Sequence, residues 1–402
     1  MKKTLSLVFL AISVMVFGQK PTYDSIKPLA NYNFVLGTNG IGGKYKFSEE
    51  SKLVEQSKHI RGMGSNILKI SLGKNAPQSY GLQYKSATTT LELFTSVPDF
   101  KKVFDMDFKY IFAWVHTLTD VKWRQRINKK EEKILYEEMY NFAAYLLKTY
   151  SNSGKTFMIG NWEGDWLLHG GFNRKLTPKK EHVENMVKWF NIRQKAIDDA
   201  KKQVQHTNVS LYHYIELNLV LKGMNGGVSI VKDVLPNTNV DFVSYSSYEA
   251  IKNRSREEMK TTLKSVFTFV EKRLKPKDNL PFHRRIFIGE YGYHANKNKP
   301  ESFVKQYKLS KEIMEISLEL NIPFALHWQM YNNEYDKKTG RSKEMSLINE
   351  AGKKTKLYYL HQQYYQKVNI YLEAYKKQHK TYPSNEEFNK KALNILQNIN
   401  VL

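Results

Sequence analysis

Eight short segments rich in apolar and β-branched residues recur along the chain, and a polar or amphipathic stretch separates each from the next. Such runs are typical of strands that are buried on both faces. The predicted strands are Asn33–Thr38, Asn66–Leu72, Tyr110–His116, Lys155–Asn161, Val209–Ile215, Val240–Ser246, Arg285–Glu290 and Pro323–Met330. Apolar residues recur at helical spacing between them, most clearly in Glu131–Thr149, Glu181–Lys202, Glu257–Lys272 and Glu301–Leu320. Strand and helix therefore alternate along the chain.

This alternation predicts parallel strands joined by crossover helices. Eight such units over about 350 residues suit a closed (β/α)8 TIM barrel, an α/β fold. The alternative is an open, doubly wound sheet, which binds nucleotides through a glycine-rich first turn. Residues 37–43, after the first strand, are rich in glycine but lack the spacing of either phosphate-binding fingerprint.

Two helices are predicted after the eighth strand. Residues 353–378 carry one apolar stripe, and Ser384 with Glu387 has the sequence of a capping box that opens a last helix through Leu396. We expect residues 19–366 to form the barrel and residues 367–402 to form a helical extension that packs on it. An independent interaction module is the alternative for this extension.

The first 18 residues have the pattern of a secretory signal peptide, with Lys2 and Lys3 followed by a short apolar run from Leu5 to Phe17 and then by the small residue Gly18. We therefore expect a secreted or periplasmic protein. The chain has no cysteine, which excludes disulfides, thiolate metal sites and a lipidated cysteine anchor. No later segment is long and apolar enough to predict a membrane span.

The chain is strongly basic, with 63 Lys and Arg against 39 Asp and Glu and a formal charge of +24. Loss of Lys2 and Lys3 with the signal peptide would reduce this charge to +22. A charge of this size favours an anionic partner, and the alternative is a lysine-rich surface without a specific ligand. No zinc-finger or RNP-type pattern is present, so we do not expect a nucleic-acid partner.

Two predicted strands are followed by, or end in, a glutamate. Glu163 follows the fourth strand and Glu290 closes the seventh. Side chains alternate along a strand, so Ile159 shares a face with Glu163, and Ile288 shares one with Glu290. If Ile159 and Ile288 fill the barrel interior, both glutamates rise from the rim where such barrels carry their active sites. One protonated and one ionised carboxyl group are what glycosidic bond cleavage requires.

At these residues the sequence resembles the clan A glycoside hydrolases, which are retaining enzymes built on a (β/α)8 barrel. In that clan the acid/base glutamate closes strand four and the nucleophile closes strand seven. The resemblance covers roughly residues 31–366 and implies hydrolysis of O-glycosidic bonds in a polysaccharide or oligosaccharide. It implies Glu163 as the acid/base and Glu290 as the nucleophile.

The sequence departs from the clan at one position. An asparagine normally precedes the acid/base glutamate directly, whereas Trp162 separates Asn161 from Glu163 here. Asp165 is therefore the chief rival acid. A carbohydrate-binding barrel without catalysis and an exported surface protein are the alternative functions.

Aromatic and polar residues near the predicted rim are candidates for substrate binding. Tryptophan suits sugar rings because its flat apolar face covers C–H groups while its N–H stays free to donate. By the resemblance, Trp328 forms the floor of the sugar site and Tyr245 or Tyr248 donates to Glu290. The complete candidate set is His116, Asn161, Trp162, Asp165, Trp166, Tyr245, Tyr248, Tyr291 and Trp328.

Glu216, near the end of the fifth predicted strand, is a further carboxylate at the rim. The apolar residues that follow it leave open that it lies off the site. No His-Glu-x-x-His pattern or EF-hand loop is present, so we expect neither a catalytic metal nor a cofactor.

Overall fold

The structure, a computed structural model, describes residues 28–84 and 86–401. Its eight strands form a closed parallel barrel in chain order, and β8 pairs with β1. The strands are β1 Leu36–Asn39, β2 Ile67–Leu72, β3 Tyr110–Val115, β4 Thr156–Gly160, β5 Ser210–Leu217, β6 Phe242–Ser246, β7 Ile286–Tyr291 and β8 Ala325–His327. The predicted (β/α)8 TIM barrel is confirmed. The predicted signal peptide lies outside the described residues.

Helices of 12 to 24 residues follow several strands and the barrel itself. They are α1 Lys52–Met63, α5 Lys129–Thr149, α7 Lys180–Gln203, α10 Arg256–Glu271, α11 Pro300–Glu319, α12 Lys356–His379 and α13 Asn385–Gln397. The shorter helices are α2 Ala76–Tyr80, α3 Thr90–Ser96, α4 Pro98–Asp105, α6 Gly164–His169, α8 Val220–Met224 and α9 Tyr248–Ile251. No helix in the described part of the chain combines the length and apolarity needed to cross a bilayer.

The two predicted C-terminal helices are present and pack on the barrel. The capping box of Ser384 and Glu387 starts α13, as the sequence predicts. The Tyr364 hydroxyl of α12 donates to the Phe34 carbonyl oxygen at 2.8 Å, which ties this helix to the chain just before β1. The division expected between residues 366 and 367 falls within the continuous helix α12.

An aromatic cluster fills the barrel interior. Phe112 lies 4.9 Å from Phe324 and 5.2 Å from Phe287 between ring centroids, both in edge-to-face arrangements. The buried members of the interior cluster are Ile41, Ile67, Tyr110, Phe112, Trp114, Met158, Tyr214, Phe242, Phe287, Phe324, Leu326, Trp328 and Met345. These bulky side chains close the barrel beneath its mouth.

The expected orientation of β4 and β7 is wrong. Met158 and Phe287 point into the barrel. Ile159 and Ile288 belong instead to a second buried apolar cluster, the outer core, which the strands form with the surrounding helices. The preference of a strand for one face follows from alternation, but two faces that are both apolar do not reveal which one is inside.

Glu290 nevertheless reaches the interior because β7 contains a bulge. Tyr245 pairs with Ile288, but the next residue of β6, Ser246, pairs with Glu290. Gly289 is therefore an extra residue, and it reverses the alternation so that Glu290 lies beside Ser246. A Cβ at Gly289 would come within 1.8 Å of Ser244 Oγ, so a larger residue would displace its neighbours.

The close approach at Gly160, the last residue of β4, gives a test of interior packing. A Cβ there would lie 2.2 Å from Cε2 of the buried Tyr214 ring. We expect Gly160→Ala to lower the free energy of unfolding by about 1–3 kcal/mol, measured by urea denaturation. Gly40→Ala is the control, because the nearest atom to its Cβ would be the terminal Cδ1 of Ile60 at 3.2 Å and its other neighbours would lie at 3.5 Å or more. An equal loss in both variants would contradict this account.

Candidate active site

Charged and polar side chains replace the aromatic cluster at the carboxyl ends of the strands. Lys69 of β2, Glu216 of β5, Ser244 of β6 and Glu290 of β7 are all buried there, each at most 3 % exposed. They come from strands around the barrel and meet in its mouth. A buried charge is stable in such a place only when it is paired and hydrogen-bonded.

Lys69 supplies the positive charge of this group. Its Nζ lies 2.7 Å from Glu216 Oε2 and 3.6 Å from Glu290 Oε1. The same ammonium group donates to the Gly289 carbonyl oxygen at 3.2 Å and lies 4.4 Å from the centroid of the Trp114 ring. One cation therefore links two carboxylates from β5 and β7.

Glu216 connects this ion pair to the loop after β4. Its Oε2 accepts a second hydrogen bond from Ser244 Oγ at 2.8 Å. Its Oε1 accepts the backbone N–H of Glu163 at 3.2 Å. Glu216 thus lies inside the site, and its carboxylate has partners from β2, β6 and the β4 loop.

Glu163 is the residue immediately before α6, and its side chain is partly exposed. Burial raises the pKa of its carboxyl group to about 8, and the negative charge of Glu216 acts in the same direction. The Lys69 charge and a hydrogen bond with Trp166 oppose this rise. The protonated form of Glu163 is therefore favoured at neutral pH.

Glu290 accepts a hydrogen bond from the Tyr248 hydroxyl at Oε2, at 3.1 Å. The Ser247 backbone N–H and hydroxyl both donate to its carbonyl oxygen at 2.9 Å, which fixes the backbone. Burial raises the pKa of Glu290 well above its usual value, and the charges of Glu216 and Glu163 add to this rise. Lys69 and Tyr248 act in the opposite direction and favour the ionised form.

Tryptophans surround these carboxylates. The rings of Trp114 and Trp328 lie 6.0 Å apart and are nearly buried, at the top of the interior cluster. The peptide bond between Trp328 and Gln329 is cis. The ring centroids of Trp162 and Trp166 lie 6.0 and 5.6 Å from that of Phe172, and Phe172 is 67 % exposed. The site therefore has a buried aromatic side, formed by Trp114 and Trp328, and an exposed aromatic rim, formed by Phe172 with Trp162 and Trp166 packed against it.

His116 lies beside this rim, and its Nε2 accepts the Trp162 backbone N–H at 3.3 Å. Burial lowers the pKa of His116 to about 4, and the positive charge of Arg193 contributes to this decrease. The ring is therefore neutral at pH 7, as an acceptor at Nε2 must be.

Four of the predicted substrate-binding residues do not face the mouth. Asn161 is fully buried, and its Oδ1 accepts the Glu216 backbone N–H at 3.3 Å. Tyr245 belongs to the outer core, where its hydroxyl donates to Glu249. Tyr291 also belongs to the outer core, with its ring centroid 5.4 Å from that of His327.

Asp165 is the fourth, and its contacts are those of a structural residue. Its carboxylate accepts the backbone N–H groups of Asn218 and Leu219 at 3.0 Å and of Ile230 at 2.8 Å. The side chain is buried and joins the β4 loop to two later segments. These contacts argue against Asp165 as a rival to Glu163, and Tyr248 is the tyrosine that contacts Glu290.

Lys69 and Trp114 are not among the residues predicted for the site, and the place of Glu216 is left open by the sequence. A signal for Lys69 is present, because it is the one charged residue within the apolar strand Ile67–Leu72. Strand β5 extends to Leu217, two residues beyond its predicted end, and thereby includes Glu216. Within residues 28–84 and 86–401, no group of three or more His, Asp or Glu side chains is arranged to hold a metal ion.

The sequence matches no protein-family model and no curated protein. Its fold is similar to that of a calcium-binding mutant of Bacteroides uniformis beta-glucuronidase 2, with a TM-score of 0.53 and 12 % identity over 84 % of this chain and 35 % of that one. A second similar structure is a variant of GH5_18 from Streptomyces cattleya in complex with Manb1-4GlcNAc, with a TM-score of 0.50 and 9 % identity over 82 % of this chain and 78 % of that one. A third is a family 39 glycoside hydrolase from the gut symbiont Bacteroides cellulosilyticus, with a TM-score of 0.50 and 11 % identity over 83 % of this chain and 63 % of that one.

These likenesses agree with the resemblance to clan A at the level of the fold. The chain spans about a third of the length of the glucuronidase chain that it matches. A shared fold does not determine the reaction, so the chemistry of this barrel depends on its own residues.

The raised pKa of Glu163 predicts a pH-dependent effect on stability. A carboxyl group with a pKa of about 8 when folded and 4.5 otherwise contributes stability that is complete below pH 4.5 and is lost as the pH rises through about 8. We therefore expect the Tm of Glu163→Gln, relative to the unmodified protein, to increase between about pH 5 and about pH 9. Glu137→Gln, which replaces an exposed carboxylate on helix α5, is the control for the loss of one negative charge. A difference for Glu163→Gln that does not change with pH would contradict the assigned environment.

Proposed function

We propose that the protein is a retaining glycoside hydrolase that cleaves O-glycosidic bonds in a polysaccharide or oligosaccharide. Glu290 is the nucleophile and Glu163 is the acid/base. The observation that carries this proposal is the joining of the ends of β4 and β7 through Glu216 and Lys69, which brings Glu163 and Glu290 within electrostatic reach of each other. The glycosidase names of three proteins with a similar fold support a carbohydrate substrate.

The charges support this division of roles. Three carboxyl groups share one ammonium group, so a proton is retained on one of them. Lys69 is ion-paired with Glu216 and Glu290, and Glu163 has no such contact with it. Burial raises the pKa of both glutamates, but only Glu290 has Lys69 and Tyr248 as direct partners of its carboxylate, so we assign the shared proton to Glu163 and the negative charge to Glu290.

Two displacement steps follow from these states. The Glu290 carboxylate bonds to the anomeric carbon as the glycosidic C–O bond breaks, and the leaving oxygen takes the proton of Glu163. In the second step Glu163 removes a proton from water, the water oxygen bonds to the anomeric carbon, and the ester bond to Glu290 breaks. Glu163 is protonated again and Glu290 is ionised again. The sugar retains its anomeric configuration.

Residues 1–18 support an exported enzyme, and we propose that it acts outside the cytoplasm on glycans. Trp162, Trp166 and Trp328 offer apolar ring surface or indole N–H groups to a sugar. Among these, Trp166 lies close enough to Glu163 to oppose the rise in the pKa of its carboxyl group, which links the exposed aromatic rim to the acid/base.

Leaving-group dependence and product configuration test the two glutamates. We expect Glu163→Ala to lower turnover of glycosides with poor leaving groups by at least about 100-fold and to spare 2,4-dinitrophenyl glycosides, which need no protonation. Glu290→Ala should abolish turnover of both. A glycan and aryl-glycoside panel supplies the substrates, and Glu137→Gln serves as the control.

Proton NMR of the first product and labelling with a 2-fluoro glycoside complete this test. Retained configuration and a label on Glu290 in the peptide mass map are expected. Inverted configuration, or a label on another residue, would refute the mechanism. Binding without turnover by the unmodified protein would favour the carbohydrate-binding barrel instead.

We further propose that the substrate is anionic, as the charge of the chain suggests. The Arg174 guanidinium lies 5.7 Å from the Trp166 ring centroid, and Lys337 Nζ lies 5.9 Å from that of Phe172. Both cations therefore lie at the exposed aromatic rim beside Glu163. They are placed to attract a carboxylate or sulfate on a sugar unit.

Salt dependence tests this part of the proposal. We expect binding of acidic glycans to weaken between about 0.01 M and about 0.15 M salt, as the Debye length falls from about 30 to about 8 Å. The Arg174→Gln/Lys337→Gln variant should bind acidic glycans more weakly at low salt, whereas Lys133→Gln on α5 should not. Equal binding of neutral and acidic glycans, insensitive to salt, would remove the anionic preference and leave hydrolysis unaffected.

A further inference from the structure

We propose that Lys69 and Glu216 are a positioning pair that holds Glu163 and Glu290 in place and controls the protonation of both carboxyl groups. The catalytic role of this pair rests on the proposed function. Its geometry, however, stands independently: the carboxylate of Glu216 contacts the Glu163 backbone, and the ammonium group of Lys69 contacts the Glu290 carboxylate.

The pair is built into the barrel rather than placed on its surface. Both side chains are fully buried, and their contact of 2.7 Å is supported by Ser244 Oγ and by the Gly289 carbonyl oxygen. A Cβ on Gly289 would also lie 3.0 Å from Glu216 Oε2. The bulge that turns Glu290 inward thus also leaves room for the pair.

Stability alone does not account for these charges. Replacement of a buried ion pair by apolar side chains is often neutral or stabilising, because removing two charges from water is costly. What an apolar pair would not supply is an acceptor for the Glu163 N–H and a cation 3.6 Å from Glu290. Both functions serve the two proposed reacting groups.

The two members of the pair have opposite effects on the pKa of the glutamates. The negative charge of Glu216 raises the pKa of Glu163 and of Glu290, and the positive charge of Lys69 lowers both. Four other titratable groups are coupled to this cluster: Asp165 to Glu163, Tyr248 to Glu290, Tyr214 to Glu216 and Glu290, and Glu334 to Tyr248. None of these four residues is substituted in the variants, so differences between variants report on the pair.

Four variants separate an electrostatic role from a structural one. Glu216→Gln removes only the negative charge and Lys69→Met only the positive one. The double variant removes both, and Ser244→Ala removes a hydrogen bond without changing any charge. The readout is the titration of glutamate side-chain carboxyl carbons by 13C NMR, with resonances assigned by their loss in Glu163→Gln and Glu290→Gln.

We expect Glu216→Gln to lower the pKa of both glutamates by about one unit or more, because a like charge is lost and Lys69 is released toward them. Lys69→Met should raise both by a similar amount. The double variant should return both toward their original values, and Ser244→Ala should shift them less than either single change. Circular dichroism and Tm establish that each variant is folded.

Shifts in the same direction for Glu216→Gln and Lys69→Met, or none in either, would overturn the proposal. Should Lys69→Met not fold, Glu216→Gln and the double variant decide, since the double variant leaves neither member of the pair without its partner. This titration needs no substrate, so its outcome is separate from that of the proposed function. If the protein hydrolyses glycosides, Glu216→Gln should also move the alkaline limb of kcat/KM to lower pH, because deprotonated Glu163 no longer acts as an acid.

Discussion

A buried lysine in the mouth of the barrel constrains everything around it. The ammonium group of Lys69 is removed from water, so carboxylates must approach it from other strands. Glu216 does so at 2.7 Å and Glu290 at 3.6 Å, and the Trp114 ring lies beside it. The glycine at position 289 and the hydroxyl of Ser244 then follow as requirements of space and hydrogen bonding.

The fold could be predicted because it depends on local patterns. The eight apolar strands and the amphipathic helices can each be recognised from the residues of a single element, which has between three and 24 residues, and the Ser384 capping box marks a helix start within four residues. The orientation of the strands could not be predicted in the same way. In β4 and β7 both faces are apolar, so Met158 and Ile159 give equal signals for the interior, and a bulge at Gly289 leaves no mark in periodicity.

The residues of the site also differ in how far the sequence alone predicts them. Glu163, Glu290 and Trp328 lie at strand ends, and a family resemblance locates strand ends well. In the sequence, Asn161 and Asp165 are polar residues near the same strand end as Glu163, and so they are equally good candidates for substrate binding. In the structure their partners are backbone N–H groups some 50 residues away, such as those of Glu216 and Asn218. Only the folded chain shows that these polar groups are occupied. Glu290 was predicted to point inward for the wrong reason, since the residues below it, Ile286 and Ile288, face outward.

The bulge in β7 also divides that strand into two halves with different roles. Its first half is paired in one register, with Ile286 and Ile288 in the outer core and Phe287 in the barrel interior. Its second half is paired one residue later and supplies Glu290. A single irregularity thus uncouples packing from chemistry along one strand. The outer layer at Ile286 and Ile288 is free to change its apolar side chains together with the surrounding helices, while the carboxylate at the mouth keeps its own neighbours.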